Sequence, residues 1–463
     1  MFFKHKEIDM TTGPLLPKMI RFAIPILLST VLQLLFNAAD IVVVSQFAGN
    51  EAFAAVGSTG ALINLIINLF VGLSVGASIM VARAYGAKDE EMIHKVVHTA
   101  VSASVIGGIF LAFVGYFLAK PLLELMGSPD DVIDLSVLYM RIYFMGMPAI
   151  LFYNYGSSIM KSAGDPDRPL IYLAISGVLN VLLNLFFVIV LKMSVDGVAI
   201  ATIASQTLAS VLIIRFLLRT DKAIKLVPKK IRIDLKTLGE MLKIGIPAGI
   251  QSSMFSLSNV VIQSAINSWG STVMSANSAA GNIDGFIYGA FNAVQQSAIN
   301  FASQNKGAKR YDRMTRVLWV SLAMVTVSGV ILCVAATLLS RPLLHIYTND
   351  ADVVEKAVLR MEIMTCVYFL FGMGDVMGGY MRGMGYSFLP TMVTLLGVCG
   401  LRVAWIAWIY PIYGTLEWIY YSYPVTWVVT TVAMFICICI TCGKYWGRSN
   451  DACIAMNDHA HNA

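Results

Sequence analysis

The sequence predicts an all-α polytopic membrane protein: twelve transmembrane helices in two pseudo-symmetric six-helix lobes around a central cleft. Three observations predict it. The 463-residue chain is 57% hydrophobic and only 13% charged, with mean hydropathy +0.73. Its apolar residues come in long runs parted by short charged breaks, and the first half of the chain recurs in the second. Soluble domains carry roughly 25% charged residues. A water-soluble chain of this size cannot hide so much apolar surface; a bilayer can.

A hydrocarbon core about 30 Å thick is crossed by about 20 apolar residues at about 1.5 Å per residue. The first run, near 19–45, follows a charged, Pro-containing arm (Lys4, Lys6, Lys18, Arg21) and is long enough to span, so it reads as a helix and not as a cleavable signal peptide. Runs near 53–82, 96–119, 133–160, 169–191 and 197–218 complete the first six. A second six follow near 240–268, 272–303, 317–340, 355–381, 388–410 and 417–441. Several exceed one bilayer width, which suits tilted or kinked helices.

The formal charge of +6 orients these helices and is no nucleic-acid signature. The arm, the 83–95 loop (Arg83, Lys88, Lys95), the 215–243 connection and the 306–316 loop (Lys306, Lys309, Arg310, Arg313, Arg316) fall on one side. So do Lys161 with Arg168, Arg382, and Lys444 with Arg448; the opposite loops hold little beyond Lys120, Lys192, Arg341, Lys356 and Arg360. The positive-inside rule then puts both termini in the cytoplasm of a multi-pass cell inner-membrane protein. All seven cysteines lie in the second half, mostly inside apolar runs, where they read as small hydrophobes. His94 and His98 have metal-ligand spacing but no third ligand, and read as a solvated helix start. Asp130-Asp131 is an isolated pair in a short outer loop, which argues against the acid-rich Mg²⁺ motifs of an intramembrane prenyltransferase. No GxxxxGK[ST] loop appears, which argues against an ATP-driven pump.

A shift of 221 residues superposes the halves: Lys120-Pro121-Leu122-Leu123 on Arg341-Pro342-Leu343-Leu344, Gly86-Ala87-Lys88 on Gly307-Ala308-Lys309, and Lys161, Gly164 and Pro169 on Arg382, Gly385 and Pro390. With one residue of slippage, Ile24-Pro25 falls on Ile246-Pro247. Six helices per copy is even, so both copies enter the membrane in the same sense. The expected division is an N-lobe, 1–218; a basic cytoplasmic linker, 219–238; a C-lobe, 239–445; and a cytoplasmic tail, 446–463.

Acids at membrane depth cost several kcal/mol unless hydrated or paired, so they are functional candidates. Gln33, Asn37 and Asp40 fall at i, i+4 and i+7, one polar stripe among Leu34, Leu35, Ile41 and Val42. An end-of-helix acid near Gly49-Asn50 is the plainer reading of Asp40, but it leaves the rest of the stripe without purpose. Asn180 and Asn184, at i and i+4, share a face and serve either an ion or interhelical hydrogen bonding. The eighth run carries Asp284, Tyr288, Asn292 and Gln295 on one face, a stripe that suits a water-filled substrate cleft. Asp375, in Gly372-Met-Gly-Asp, reads equally as a site acid or a hinge residue. The 25 methionines supply adaptable apolar surface, although packing accounts for any single one.

The ordered, doubled motifs resemble the multidrug and toxic-compound extrusion (MATE) family, bacterial branch: a proline in the first helix of each half, Gly-Ala-Lys after the second, and 141–169 (Arg141…Gly146…Pro148…Lys161-Ser-Ala-Gly164-Asp165…Pro169) with its copy ending Arg382-Gly-Met-Gly385. The likeness covers roughly residues 10–445. It implies a secondary active multidrug exporter, not an enzyme, that antiports lipophilic, often cationic small molecules against H⁺ or Na⁺ by alternating access. It implies that Asp40 is the cation-coupling residue, joined by Tyr139, Asn180, Asn184 and Thr202, with Pro25 and Pro247 as hinges. Asp375 matches an acid the family uses, while the glutamate of some relatives in the seventh helix is missing from Gln251-Ser-Ser-Met-Phe255. Some relatives have an aspartate where this chain has Asn184. A proton needs only Asp40; sodium needs several oxygens, which Asp40, Asn180, Asn184 and Thr202 could supply. No cofactor and no nucleic acid are expected; the partners are drugs or toxic metabolites and membrane lipids, and the chain is expected to be a monomer. The alternative is a flippase for a lipid-linked saccharide of the same superfamily, which would want basic residues in the cleft where this chain offers Arg141 and Arg402 as its only mid-helix arginines.

Overall fold

In the computed structural model, every regular element among the described residues is a helix. The structure describes residues 7–126, 129 and 132–461, leaving aside the side chains of Asn50, Phe53, Ala61 and residues from 444 on. Lys4, Lys6 and Asp130-Asp131 lie outside the described residues, as do the side chains of Lys444, Arg448 and Cys453.

Helix α1 (Leu15–Val43) runs on through a wide π-helical turn, Val44–Ala48. Then come α2 (Asn50–Ala87), α3 (Glu90–Leu125), α4 (Ile133–Met145), α5 (Met147–Ser162), α6 (Asp167–Leu185, continued by a π turn over Phe186–Val190) and α7 (Val195–Arg219). The second half holds α8 (Leu235–Asn267), α9 (Ser271–Gly307), α10 (Tyr311–Leu338), the short α11 (Ser340–His345), α12 (Ala351–Thr365) and α13 (Tyr368–Gly383). One interrupted helix follows as α14 (Phe388–Thr394), α15 (Leu401–Ala404) and α16 (Tyr410–Tyr413) with π turns between them, and α17 (Leu416–His461) ends the chain, helical well into the expected tail.

Eight spans are long and apolar enough to cross a bilayer, and two bent pairs, α4 with α5 at 49° and α12 with α13 at 50°, add one each. The 33-residue α8 and 37-residue α9 are long enough but too polar for the same test. With each bent pair taken as one and α8 and α9 added, the described residues hold twelve long helical segments, the number in the predicted fold class.

The described chain forms two compact units: unit 1 is the chain up to Ile8 with Leu28–Gly249, and unit 2 is Asp9–Leu27 with the chain from Ile250 on. The first part of α1 thus belongs to unit 2 and the first part of α8 to unit 1, with the changeover just past Pro25 and Pro247. A proline removes an i to i−4 hydrogen bond and so makes a ready hinge.

Within unit 1, α2 and the first part of α8 approach backbone to backbone. A Cβ on Gly72 would lie 2.2 Å from Gly249, and one on Gly76 would lie 2.2 Å from the Met241 carbonyl. Small residues four apart on both helices permit this approach, which is where apolar helices gain dispersion contact in a membrane. The linker is tied to the same unit: His98 Nε2 accepts the Val227 N–H at 3.0 Å, and Asp234 N–H donates to Thr99 at 3.2 Å. His98 is buried, its Nδ1 2.6 Å from the His94 carbonyl, which corrects the expectation of a solvated pair.

Within unit 2, α9 is the central helix and α13 lies along it, where a Cβ on Gly383 would come 2.7 Å from the Ile299 carbonyl. Arg313 donates to the carbonyls of Gly13 and Thr12, at 3.0 and 3.1 Å, and so holds the N-terminal arm to this unit.

The internal repeat is legible in the backbone of each unit. Left-handed residues recur 221 positions apart: Gly49 and Gly270 at φ 91° and 90°, Lys88 and Lys309 at 56° each, Gly164 and Gly385 at 89° and 92°. The breaks at Gly146 and Val367, between the bent pairs, stand at the same spacing.

Candidate functional site

The site in unit 1 is built where α1 meets α6. Gly177 on α6 has no side chain because the Phe36 ring occupies that space, 1.8 Å from where a Cβ would stand. One turn further on, Asp40 Oδ1 accepts a hydrogen bond from Asn184 Nδ2. The same amide nitrogen lies 3.4 Å from Asn180 Oδ1. Asn184 is fully buried, and its own Oδ1 has no hydrogen-bond partner among the described residues. An orphaned acceptor beside a carboxylate favours whatever brings positive charge or a donor. Both helices open into π turns directly after these residues, and the two turns pack together; such turns frequently mark functional positions.

Tyr139 on α4 is buried and within electrostatic reach of Asp40. Tyr143, one turn along, has its ring centroid 6.0 Å from that of Tyr139 and feels Asp40 as well. Sequence reasoning missed Tyr143, although its i, i+4 relation to Tyr139 was the signal to find it. Thr202 donates to its own helix at Val198 O, 3.0 Å away. Gln33 and Asn37 share the Asp40 stripe on α1 and are exposed. The structure thus joins Asp40, Asn180 and Asn184 by hydrogen bonds and sets Tyr139 near them.

In unit 2, Gln295 donates to Asp375 Oδ1 at 2.5 Å and to the Asp375 carbonyl at 3.2 Å, while Asp375 Oδ2 is buried without a partner among the described residues. Asn292 accepts from Gln296 at 2.6 Å, and Tyr288 is exposed beside Phe371. Asp284 departs from the expectation of a cleft acid: it is buried and ion-paired to Arg360 Nη2 at 2.7 Å. The basic residues need the matching correction. Arg360 and Arg382 are not loop residues, and Arg141 and Arg402 are not the only arginines within helices. Arg360 lies inside α12, and Arg382, in the last turn of α13, is buried and donates to Gln251 Oε1 at 2.9 Å. The sequence hid this because a charged residue at the end of an apolar run looks like a loop until the helix is seen to continue.

With this geometry in place, comparison with known proteins gives a consistent answer. The MatE family model matches residues 25–186 and 247–408, one copy in each half. The probable multidrug resistance protein YoeA of Bacillus subtilis is 29% identical over 89% of this chain and 91% of its own length. The multidrug export protein MepA of Staphylococcus saprophyticus is 21% identical over 82% and 84%. Among solved structures, a MATE protein in a bent conformation superposes with TM-score 0.89 at 20% identity, covering 96% of this chain and 99% of that one. A MOP superfamily transporter from Pyrococcus furiosus gives 0.87 at 21%, covering 96% and 98%. Matched across both halves and alike in fold from end to end, this chain belongs to the MatE family of membrane transporters.

Proposed function

We propose that the protein is a secondary active multidrug exporter of a bacterial cytoplasmic membrane, exchanging lipophilic, often cationic small molecules for H⁺ or Na⁺ by alternating access. The relatives named as multidrug resistance and export proteins support the substrate class. The observation that carries the reading is the Asp40 cluster: a carboxylate held by the Asn184 amide, which also reaches Asn180, with the Asn184 carbonyl unpaired among the described residues.

The coupling ion binds at Asp40, with Asn180, Asn184 and Tyr139 as its immediate surroundings and Thr202 on the neighbouring helix. Ion binding reshapes α1 about Pro25, and Pro247 gives α8 the same freedom. Gln33 and Asn37 in unit 1, and Tyr288, Asn292, Gln295 and Asp375 in unit 2, are the polar residues that meet substrate, whereas Asp284 is engaged by Arg360. Both termini are cytoplasmic, the working form is a monomer, and the driving force is about 2.3 kcal/mol per charge per 100 mV, plus any concentration gradient.

The test is transport of a fluorescent cationic dye in everted membrane vesicles under an imposed pH gradient or an imposed sodium gradient. One of the two is expected to drive dye accumulation that a vesicle lacking the protein does not show. Accumulation indifferent to both gradients overturns the antiport reading.

A further inference from the structure

The repeat that relates the two halves also says where unit 2 keeps its counterpart of the Asp40 site. Adding 221 or 222 carries Asn37 to Asn259, Asp40 to Ile262, Tyr139 to Arg360, Asn180 to Arg402 and Thr202 to Tyr423. The acid has become an apolar residue, and two neutral positions have become arginines. These counterparts do cluster. The Arg402 guanidinium stands 4.2 Å above the Tyr423 ring, and its Nη1 is 3.4 Å from Asn259 Oδ1. Arg360 lies within electrostatic reach of Tyr423 and Tyr420.

The balance of polar atoms leans to donors beside Arg402 and is nearer even beside Arg360, where Asp284 stands. Arg360 has Asp284 as its carboxylate, but Arg402, 2% exposed, has no carboxylate partner among the described residues. Among the described residues, buried donors without acceptors include Arg402 Nε and Trp427 Nε1, while Arg360 Nε and Nη1 lack acceptors beside an Asp284 whose own Oδ1 is unpartnered. Native interiors seldom leave so many donors orphaned in one place. What would satisfy them is an acceptor-rich group bearing negative charge.

A small pocket with aromatic walls adjoins. Within unit 2 a pocket is walled by Phe255, Phe371 and Trp427, with Val398 and Asp375 also in its lining. Val398 is one helical turn from Arg402, and Trp427 one turn from Tyr423, whose ring is 5.6 Å away. Arg402 itself rises from α15, which is flanked by π turns on both sides. Asp375 and, through Gln251, Arg382 are the other charged groups near this pocket. The carboxylate sits in the pocket wall and opposes an anion there, so the acidic group belongs at the arginine end.

We propose that Arg402, with Tyr423, Asn259 and the flank of Arg360, forms an anion subsite that receives the carboxylate or phosphate of an aromatic ligand whose ring lies against Trp427 and Phe371. This goes beyond the cation-coupled export proposed above by giving unit 2 the opposite polarity, and it stands or falls in a binding measurement that needs no transport.

The experiment uses purified full-length protein in nanodiscs of zwitterionic lipid, with 2-naphthoate and the neutral 2-naphthamide as probes read by quenching of tryptophan fluorescence. Wild type is expected to favour naphthoate by about tenfold or more, the size of one charge-assisted hydrogen bond in a buried site. R402Q should lose that preference, R402K should keep part of it, and D375N should raise naphthoate affinity by removing a like charge. Phosphatidylglycerol added to the discs tests the other source of the same chemistry: competition with naphthoate identifies a lipid phosphate as an occupant of the subsite. Equal binding of the two probes by wild type, or a preference that R402Q and D375N leave within twofold, overturns the subsite. If R402Q fails to fold, the D375N and R402K results decide alone. Gradient-driven dye transport that persists while the naphthoate preference is absent would separate failure of this subsite from failure of the export reading.

Discussion

At the scale of single residues, the candidate site depends on an acid whose hydrogen-bond partner is an amide. D40N keeps shape and polarity but removes the ionisable group, so it should abolish gradient-driven efflux while leaving expression and thermal unfolding near wild type. Dye efflux at the wild-type rate in D40N would remove Asp40 from the coupling role. N184A takes away the donor that holds the Asp40 carboxylate. Loss of one hydrogen bond to a charged group is worth about 1.5–3 kcal/mol, or roughly ten- to a hundredfold in cation affinity, measurable as the gradient needed for half-maximal efflux. Asp9, outside the spans, offers a pH test. Its partial burial alone would raise it, but hydrogen bonds from Thr12 and Thr11 and the charge of Lys18 outweigh that and hold its carboxyl at about 2, below the ordinary 3.8. A lowered folded value means the stabilising contribution is present above 3.8 and fades as pH falls from there toward 2. Amide protection at Thr11, followed by hydrogen exchange, should therefore be flat from neutrality down to that window in wild type and low throughout in D9A.

At the scale of elements, glycines decide where helices touch, and this is what the sequence showed least clearly. The spans were readable because a bilayer demands long uncharged runs, and the proline hinges because proline cannot do otherwise. The break before Pro148 had a visible cause, while its counterpart at Cys366-Val367 has no proline and only the repeat points to it. Asp40 and the Asn180–Asn184 pair were legible as polar residues in apolar runs, but their meeting depends on Phe36 filling the space that Gly177 leaves, and a lone glycine in an apolar helix does not announce its partner. G177A should push α1 off α6 and so weaken coupling without touching a single polar atom of the site. Overpacking costs typically about 1–3 kcal/mol, so a lower unfolding temperature and a loss of gradient-driven efflux should appear together. G76A, which places a Cβ 2.2 Å from the Met241 carbonyl, should lower stability comparably. If G177A unfolds and transports like wild type, the α1–α6 contact does not position Asp40.

At the scale of the whole molecule, duplication has kept the backbone and let the chemistry diverge. Paired left-handed residues and paired bends survive at a constant spacing, because turn geometry constrains the backbone whatever the side chains do. The acids obey no such rule. Asp40 has Ile262 for its counterpart, and in unit 2 an acid without an ion pair among the described residues, Asp375, sits instead on α13, bound by Gln295 and within reach of the buried Arg382. A carboxylate that already feels a fixed guanidinium through space gains less from a mobile cation than one among neutral amides. The two acids should therefore not be equivalent in function. Measured side by side in everted vesicles, D40N should lose essentially all gradient-driven dye transport. D375N should retain a substantial part of it, with the change falling on the dye concentration for half-maximal transport more than on the dependence on the driving ion. The double variant D40N/D375N should look like D40N. Should D375N instead abolish the response to the ion gradient as completely as D40N while folding normally, both units would carry coupling acids and the functional asymmetry would be refuted.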